Sequence, residues 1–76
     1  MAVEVELFGQ LASGAQRRHT LTLEQPATVR EVASLLGLNL EQVGLVVIDG
    51  IQSELDGLVP LTCRLCLFPP VSGGKS

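Results

Sequence analysis

Residues Val3 to Leu7 alternate strictly, with Val3, Val5 and Leu7 on one side and Glu4 and Glu6 on the other. A period of two marks a half-buried strand. Phe8 continues the alternation on the glutamate side, and residues 9–15, which hold two glycines, follow as a loop with a short helical turn. Residues 18–24 alternate again, Leu21 and Leu23 inward and Thr20, Thr22 and Glu24 outward, until Pro26, which has no N–H to give a ladder. Thr28-Val-Arg-Glu31 has the form of a capping box, Thr28 at the N-cap and Glu31 reaching back. Val29, Val32, Ala33 and Leu36 then recur at i, i+3, i+4 and i+7, one face of a helix that Gly37 is suited to end. A helix of roughly two to three turns is stable only when packed on something else, here a sheet.

Leu45-Val-Val-Ile48 is a continuous, largely β-branched run followed by the turn dipeptide Asp49-Gly50. Asp56-Gly57 and Pro60 punctuate the next stretch, so any strand there is short. The last strand is residues 63–68, with Cys63, Leu65 and Leu67 on one face and Arg64, Cys66 and Phe68 on the other. The order is strand, strand, helix, strand, irregular stretch, strand. This predicts an α+β β-grasp domain over residues 1–68, a mixed sheet of about four to five strands on one main helix, followed by a flexible tail over 69–76. A right-handed crossover lays the final strand beside the first and parallel to it. Phe8 and Phe68 then close neighbouring strands at one end of the sheet, on the face away from the helix. Two aromatic rings exposed there suggest a partner surface at the base of the tail. The alternative is a bulge that turns one ring into the core.

A chain of 76 residues is one domain. It buries only about 60% of the surface it exposes when unfolded, enough for one core but not for a deep substrate cavity on a catalytic scaffold. With 46% hydrophobic and 17% charged residues it is expected to fold rather than remain disordered. The net charge of −3, five scattered basic residues and the absence of Trp and Tyr speak against nucleic-acid binding. No apolar run approaches the roughly 18 to 20 residues of a membrane span. Acidic residues stand near the N-terminus where a secretory signal would carry basic ones, so the expected compartment is the cytoplasm, with both cysteines as thiols.

Cys63-Arg-Leu-Cys66 has redox spacing, but three positions apart on a strand places the thiols on opposite faces, and low thiol pKa values arise mostly at helix N-termini. Cys63 is expected in the core and Cys66 on the sheet surface; a redox role or a metal shared between molecules is the alternative. His19 is the one histidine, and no four-ligand metal set is apparent. Asp49, Glu54 and Asp56 read as turn chemistry rather than as an acid/base or metal cluster. Glu4, Glu6 and Glu24 read as a solvated acidic face that would steer basic partners. Gly74-Lys75-Ser76 resembles the end of a P-loop, but Pro69 stands where the first glycine is needed and no helix follows.

The ending Leu67-Phe-Pro-Pro-Val-Ser-Gly-Gly74 resembles that of MoaD, the small sulfur-carrier subunit of molybdopterin synthase. Val5-Glu-Leu-Phe-Gly-Gln-Leu-Ala12 is similar to that family's first strand and loop, and Leu45-Val-Val-Ile-Asp-Gly50 to its central strand and turn. ThiS, the thiamin-pathway carrier, shares the Gly-Gly but usually lacks the Phe-Pro-Pro lead-in. The resemblance implies a ubiquitin-like carrier that binds no cofactor itself. An E1-like enzyme would spend ATP to adenylate the carboxylate of Gly74, with Gly73 before it, and sulfur would displace AMP to leave a thiocarboxylate. The tail would then enter the large subunit of molybdopterin synthase, or another acceptor enzyme, and give up its sulfur there. Phe8 and Phe68 correspond to positions where the family makes apolar partner contacts, and Pro69, Pro70 and Val71 lead from them towards Gly73 and Gly74.

Two departures stand against that pattern. Family members usually stop at Gly-Gly, whereas Lys75 and Ser76 follow here and must be removed before Gly74 has a free carboxylate. A processing protease is one explanation; residues foreign to the native protein, or a chain that has given up sulfur transfer for binding alone, are the others. The acidic turn that often precedes the last strand is replaced by Leu61-Thr-Cys-Arg64. Beside the sulfur carrier stand a ubiquitin-like modifier joined to lysines, carriers for tungstopterin, thiamin or cysteine biosynthesis, and a plain interaction domain.

Overall fold

In the computed structural model, residues 1–12 and 16–70 are described. Five strands form a sheet in the order β2-β1-β7-β4-β5: β1 Val3–Leu7, β2 Arg18–Leu21, β4 Leu45–Ile48, β5 Ile51–Ser53 and β7 Cys63–Phe68. A second pair, β3 Ala27–Thr28 and β6 Leu58–Val59, lies apart from it. The first and last strands are parallel neighbours, Val5 opposite Leu65 and Leu7 opposite Leu67, as the crossover rule required. All other pairings are antiparallel. This is the mixed-sheet, one-helix β-grasp arrangement that the residue pattern predicted.

Helix α1 (Val29–Leu35) is two turns long and closed at both ends. The Glu31 N–H donates to the Thr28 hydroxyl at 3.1 Å, and the Thr28 N–H donates to the Glu31 carboxylate at 2.8 Å, completing the capping box. The first two helical N–H groups, of Val29 and Arg30, find the carbonyls of Gly57 and Leu55. At the other end Gly37, at φ +75°, donates to the Ser34 carbonyl and Leu38 to that of Ala33, a Schellman closure. Val29, Val32 and Ala33 are buried, the two valines in one cluster with Val3, Val5, Leu7, Val46, Leu65 and Leu67, so the core lies between the helix and one face of the sheet.

Two expectations are adjusted. The second strand was expected to reach Glu24 but pairs only to Leu21. Its partner β1 begins at Val3, opposite Leu21, so later residues have no strand to bond. Leu23 nevertheless keeps its inward packing. The hairpin return β5 and the two-residue pair β3–β6 had no periodic signal, being too short to show one.

Candidate functional site

Because β1 and β7 run parallel, their C-terminal ends meet at one end of the sheet. Phe8 follows β1 directly and Phe68 closes β7, and the two rings stack with centroids 4.4 Å apart and planes 10° from parallel. Neither belongs to the core; the buried residues beside them, Leu7 and Leu67, point to the helix side instead. Each ring is half-buried rather than exposed as expected, because the two cover one another on the outer face of the sheet. Neither ring is turned into the core. Cross-strand neighbours extend the surface: Leu45 stands opposite Phe68, and Val47 opposite Cys66. Further along the same face the residues are charged, with Glu4 opposite Arg64 and Glu6 facing Arg18 at 3.9 Å. The outer face of the sheet is thus apolar at the end where the chain leaves it and charged beyond.

The base of the tail is tied from both sides. The Phe8 N–H donates to the Leu67 carbonyl at 3.0 Å, and the Gly44 N–H donates to the Phe68 carbonyl at 2.7 Å. Pro69 then lies over Gly9 and Pro70 beside Gly44. A Cβ on Gly9, which has φ +59°, would come within 2.8 Å of the Pro69 Cγ. A Cβ on Gly44 would fall on the Pro70 Cα and stand 2.6 Å from its nitrogen. Sequence reasoning placed the domain boundary after Phe68; these contacts carry the chain's packing through Pro70. Val71, Gly73 and Gly74 lie outside the described residues.

The other chemical candidates resolve into structure. Cys63 is buried, its thiol directed at the Pro60 carbonyl (3.7 Å), while Cys66 is half-buried on the opposite face, so the two form no dithiol. Burial pushes both thiols up from their ordinary value; the Asp49 charge adds to this at Cys63 and the Glu6 charge at Cys66, where Arg64 opposes it. Neither has the electropositive setting of a reactive thiolate. Asp49 and Gly50, both at positive φ, make the two-residue turn between β4 and β5. The Asp49 carboxylate also accepts the Arg64 N–H at 2.9 Å, standing in for a ladder carbonyl. Asp56 pairs with Arg30 at 3.2 Å, and the Glu54 carbonyl accepts the Gly57 N–H. Among the described residues no three His, Cys, Asp or Glu side chains gather as metal ligands would, and no helix is long and apolar enough to cross a membrane.

No family model matches the chain, and no curated protein sequence matches it. Among solved structures it is similar to the crystal structure of SAMP1 from Haloferax volcanii, at 30% sequence identity and a TM-score of 0.72, over 97% of this chain and 100% of that one. A parallel first and last strand, one capped helix and an aromatic-flanked exit define a small ubiquitin-like domain. With that likeness along its whole length, the chain belongs to the ubiquitin-like β-grasp family.

Proposed function

We propose that this protein is a sulfur carrier whose working group is the carboxylate of Gly74, exposed once Lys75 and Ser76 have been cleaved off by a protease. The observation that carries the reading is the Phe8–Phe68 stack, set beside the strand end from which Pro69-Pro70 leads to Gly73-Gly74. An apolar surface next to an activatable peptide gives a partner something to grip while the peptide is worked on. Glycines without side chains allow close approach of the backbone to reacting groups.

In the first step a carboxylate oxygen of Gly74 attacks the α-phosphorus of ATP on an E1-like enzyme, and pyrophosphate leaves. In the second, sulfide-level sulfur attacks the acyl carbon; the C–S bond forms, the C–O bond to phosphate breaks, and AMP departs. The resulting thiocarboxylate is carried to an acceptor enzyme, of which the large subunit of molybdopterin synthase is the one the Phe-Pro-Pro lead-in favours. Phe8, Phe68, Pro69 and Pro70 form the docking surface, Val71 follows them in the chain, and the domain is substrate and carrier throughout.

The test is ATP–pyrophosphate exchange with the E1-like enzyme of the source organism. A form ending at Gly74 is expected to support exchange, and a form retaining Lys75-Ser76 is not. Equal exchange with both forms, or none with either, contradicts the reading. Activation that ends in isopeptide bonds to lysines, rather than in a thiocarboxylate, assigns the protein to the modifiers instead.

A further inference from the structure

Proline has no N–H, so neither Pro69 nor Pro70 can extend the ladder that ends at Phe68. The direction of the chain past that point is fixed by packing instead. Two glycines from separate parts of the sequence supply it. Gly9 follows the first strand and takes φ +59°, a conformation that favours glycine, with the Pro69 ring over it. Gly44 precedes β4 and lets the Pro70 backbone pass where any side chain would stand. The Gly44 N–H also holds the Phe68 carbonyl at 2.7 Å, so Gly44 and Leu45 both address Phe68, two residues against one as in a β-bulge.

We propose that Gly9 and Gly44 are positioning residues that seat Pro69-Pro70 and so fix the direction in which the reactive peptide leaves the domain. The proposal rests on the carrier reading, in which a partner must engage the Phe8–Phe68 surface and the peptide together. A base already held in one direction has less conformational freedom to lose on insertion, which favours binding of the peptide without altering the chemistry that follows. Release of the seat therefore raises the concentration of carrier needed for half-maximal activation and leaves the saturated rate alone.

The experiment uses Gly74-terminated protein as the varied substrate of the E1-like enzyme. Gly44→Ala, Gly9→Ala and a Pro69→Gly/Pro70→Gly double variant are compared with wild type and with Gly37→Ala. Gly37 also has positive φ but has nothing within 4 Å of where a Cβ would stand, so it controls for backbone strain. Fixing a residue's backbone is a large enough term that KM is expected to rise about ten-fold in the seat variants, with kcat within about two-fold and Gly37→Ala close to wild type. Thermal melts identify which variants are folded at the assay temperature. The double variant adds no atoms to the seat but also removes docking contacts, so it decides only if its KM stays at the wild-type value, and an alanine variant unfolded at the assay temperature is assayed below its melting temperature instead. Folded seat variants with wild-type KM, or an equal rise in Gly37→Ala, overturn the proposal. Failure of wild type itself to be activated overturns the carrier reading and this inference with it, and the wild-type arm tells the two failures apart.

Discussion

Phe8 and Phe68 stack at 4.4 Å although they come from opposite ends of the chain, because the parallel pairing of β1 with β7 brings both strand ends to one end of the sheet. The stack is therefore a contact of the folded domain that no local segment can form. Phe8→Ala and Phe68→Ala are each expected to cost about 1–3 kcal/mol, less than a fully buried ring would. In a double-mutant cycle by urea denaturation the pair should show a coupling of about 0.5–1.5 kcal/mol. Strict additivity would mean that the rings are neighbours without interacting.

The Asp49 carboxylate replaces a backbone acceptor for the Arg64 N–H while its own backbone sits at φ +52°. Asp49→Ala removes the acceptor and leaves a residue ill suited to that conformation, an expected loss of about 1–3 kcal/mol. Asp49→Asn keeps an oxygen acceptor and a residue favoured in this turn, and should stay within about 0.5 kcal/mol of wild type. If the two variants melt together, the carboxylate is not acting as the ladder's acceptor.

Burial raises the thiols of Cys63 and Cys66 above the ordinary value of 9.0. A raised pKa means that the folded state holds its proton more tightly than the unfolded one. That contribution is fully present below pH 9.0 and is lost as pH climbs through the folded values. Stability should therefore fall on the alkaline side of pH 9.0, and Cys63→Ala should flatten the fall while lowering stability throughout. Chemical denaturation across that range checks it; an alkaline limb unchanged in both Cys63→Ala and Cys66→Ala would assign the loss to other groups.

The first turn of the 29–35 helix offers a contrast between a cap and an ion pair. Thr28→Ala breaks the capping box of a two-turn helix and is expected to cost about 1 kcal/mol. Arg30→Ala removes an ion pair whose members are 48% and 74% exposed, and should cost less than about 1 kcal/mol, mostly screened by salt. Melting curves at low and high salt separate them: the Thr28 effect should persist at high salt.

Much of this fold was legible because its signals are local. The alternation of residues 3–7 and 63–68 and the reciprocal chemistry of Thr28 and Glu31 each sit within a few residues of one another, and the structure keeps them. The meeting of Phe8 with Phe68 needed one further assumption, the hand of the crossover. The early end of β2 was not legible, since it depends on where β1 begins rather than on Thr22 or Leu23. Nor was the seating of Pro69 and Pro70: Gly9 reads as loop punctuation, Gly44 carries no signal of its own, and only the tertiary fold shows which part of the chain passes over each.

Whether an activated Gly74 carboxylate receives sulfur is read directly from the mass of the intact protein. Gly74-terminated protein is incubated with the E1-like enzyme, ATP and sulfide and then weighed by mass spectrometry. Replacement of one carboxylate oxygen by sulfur predicts a gain of about 16 Da, confined to the C-terminal peptide and dependent on ATP. An unchanged mass, in a reaction where the same enzyme thiocarboxylates its known carrier, would show that Gly74 carries no sulfur.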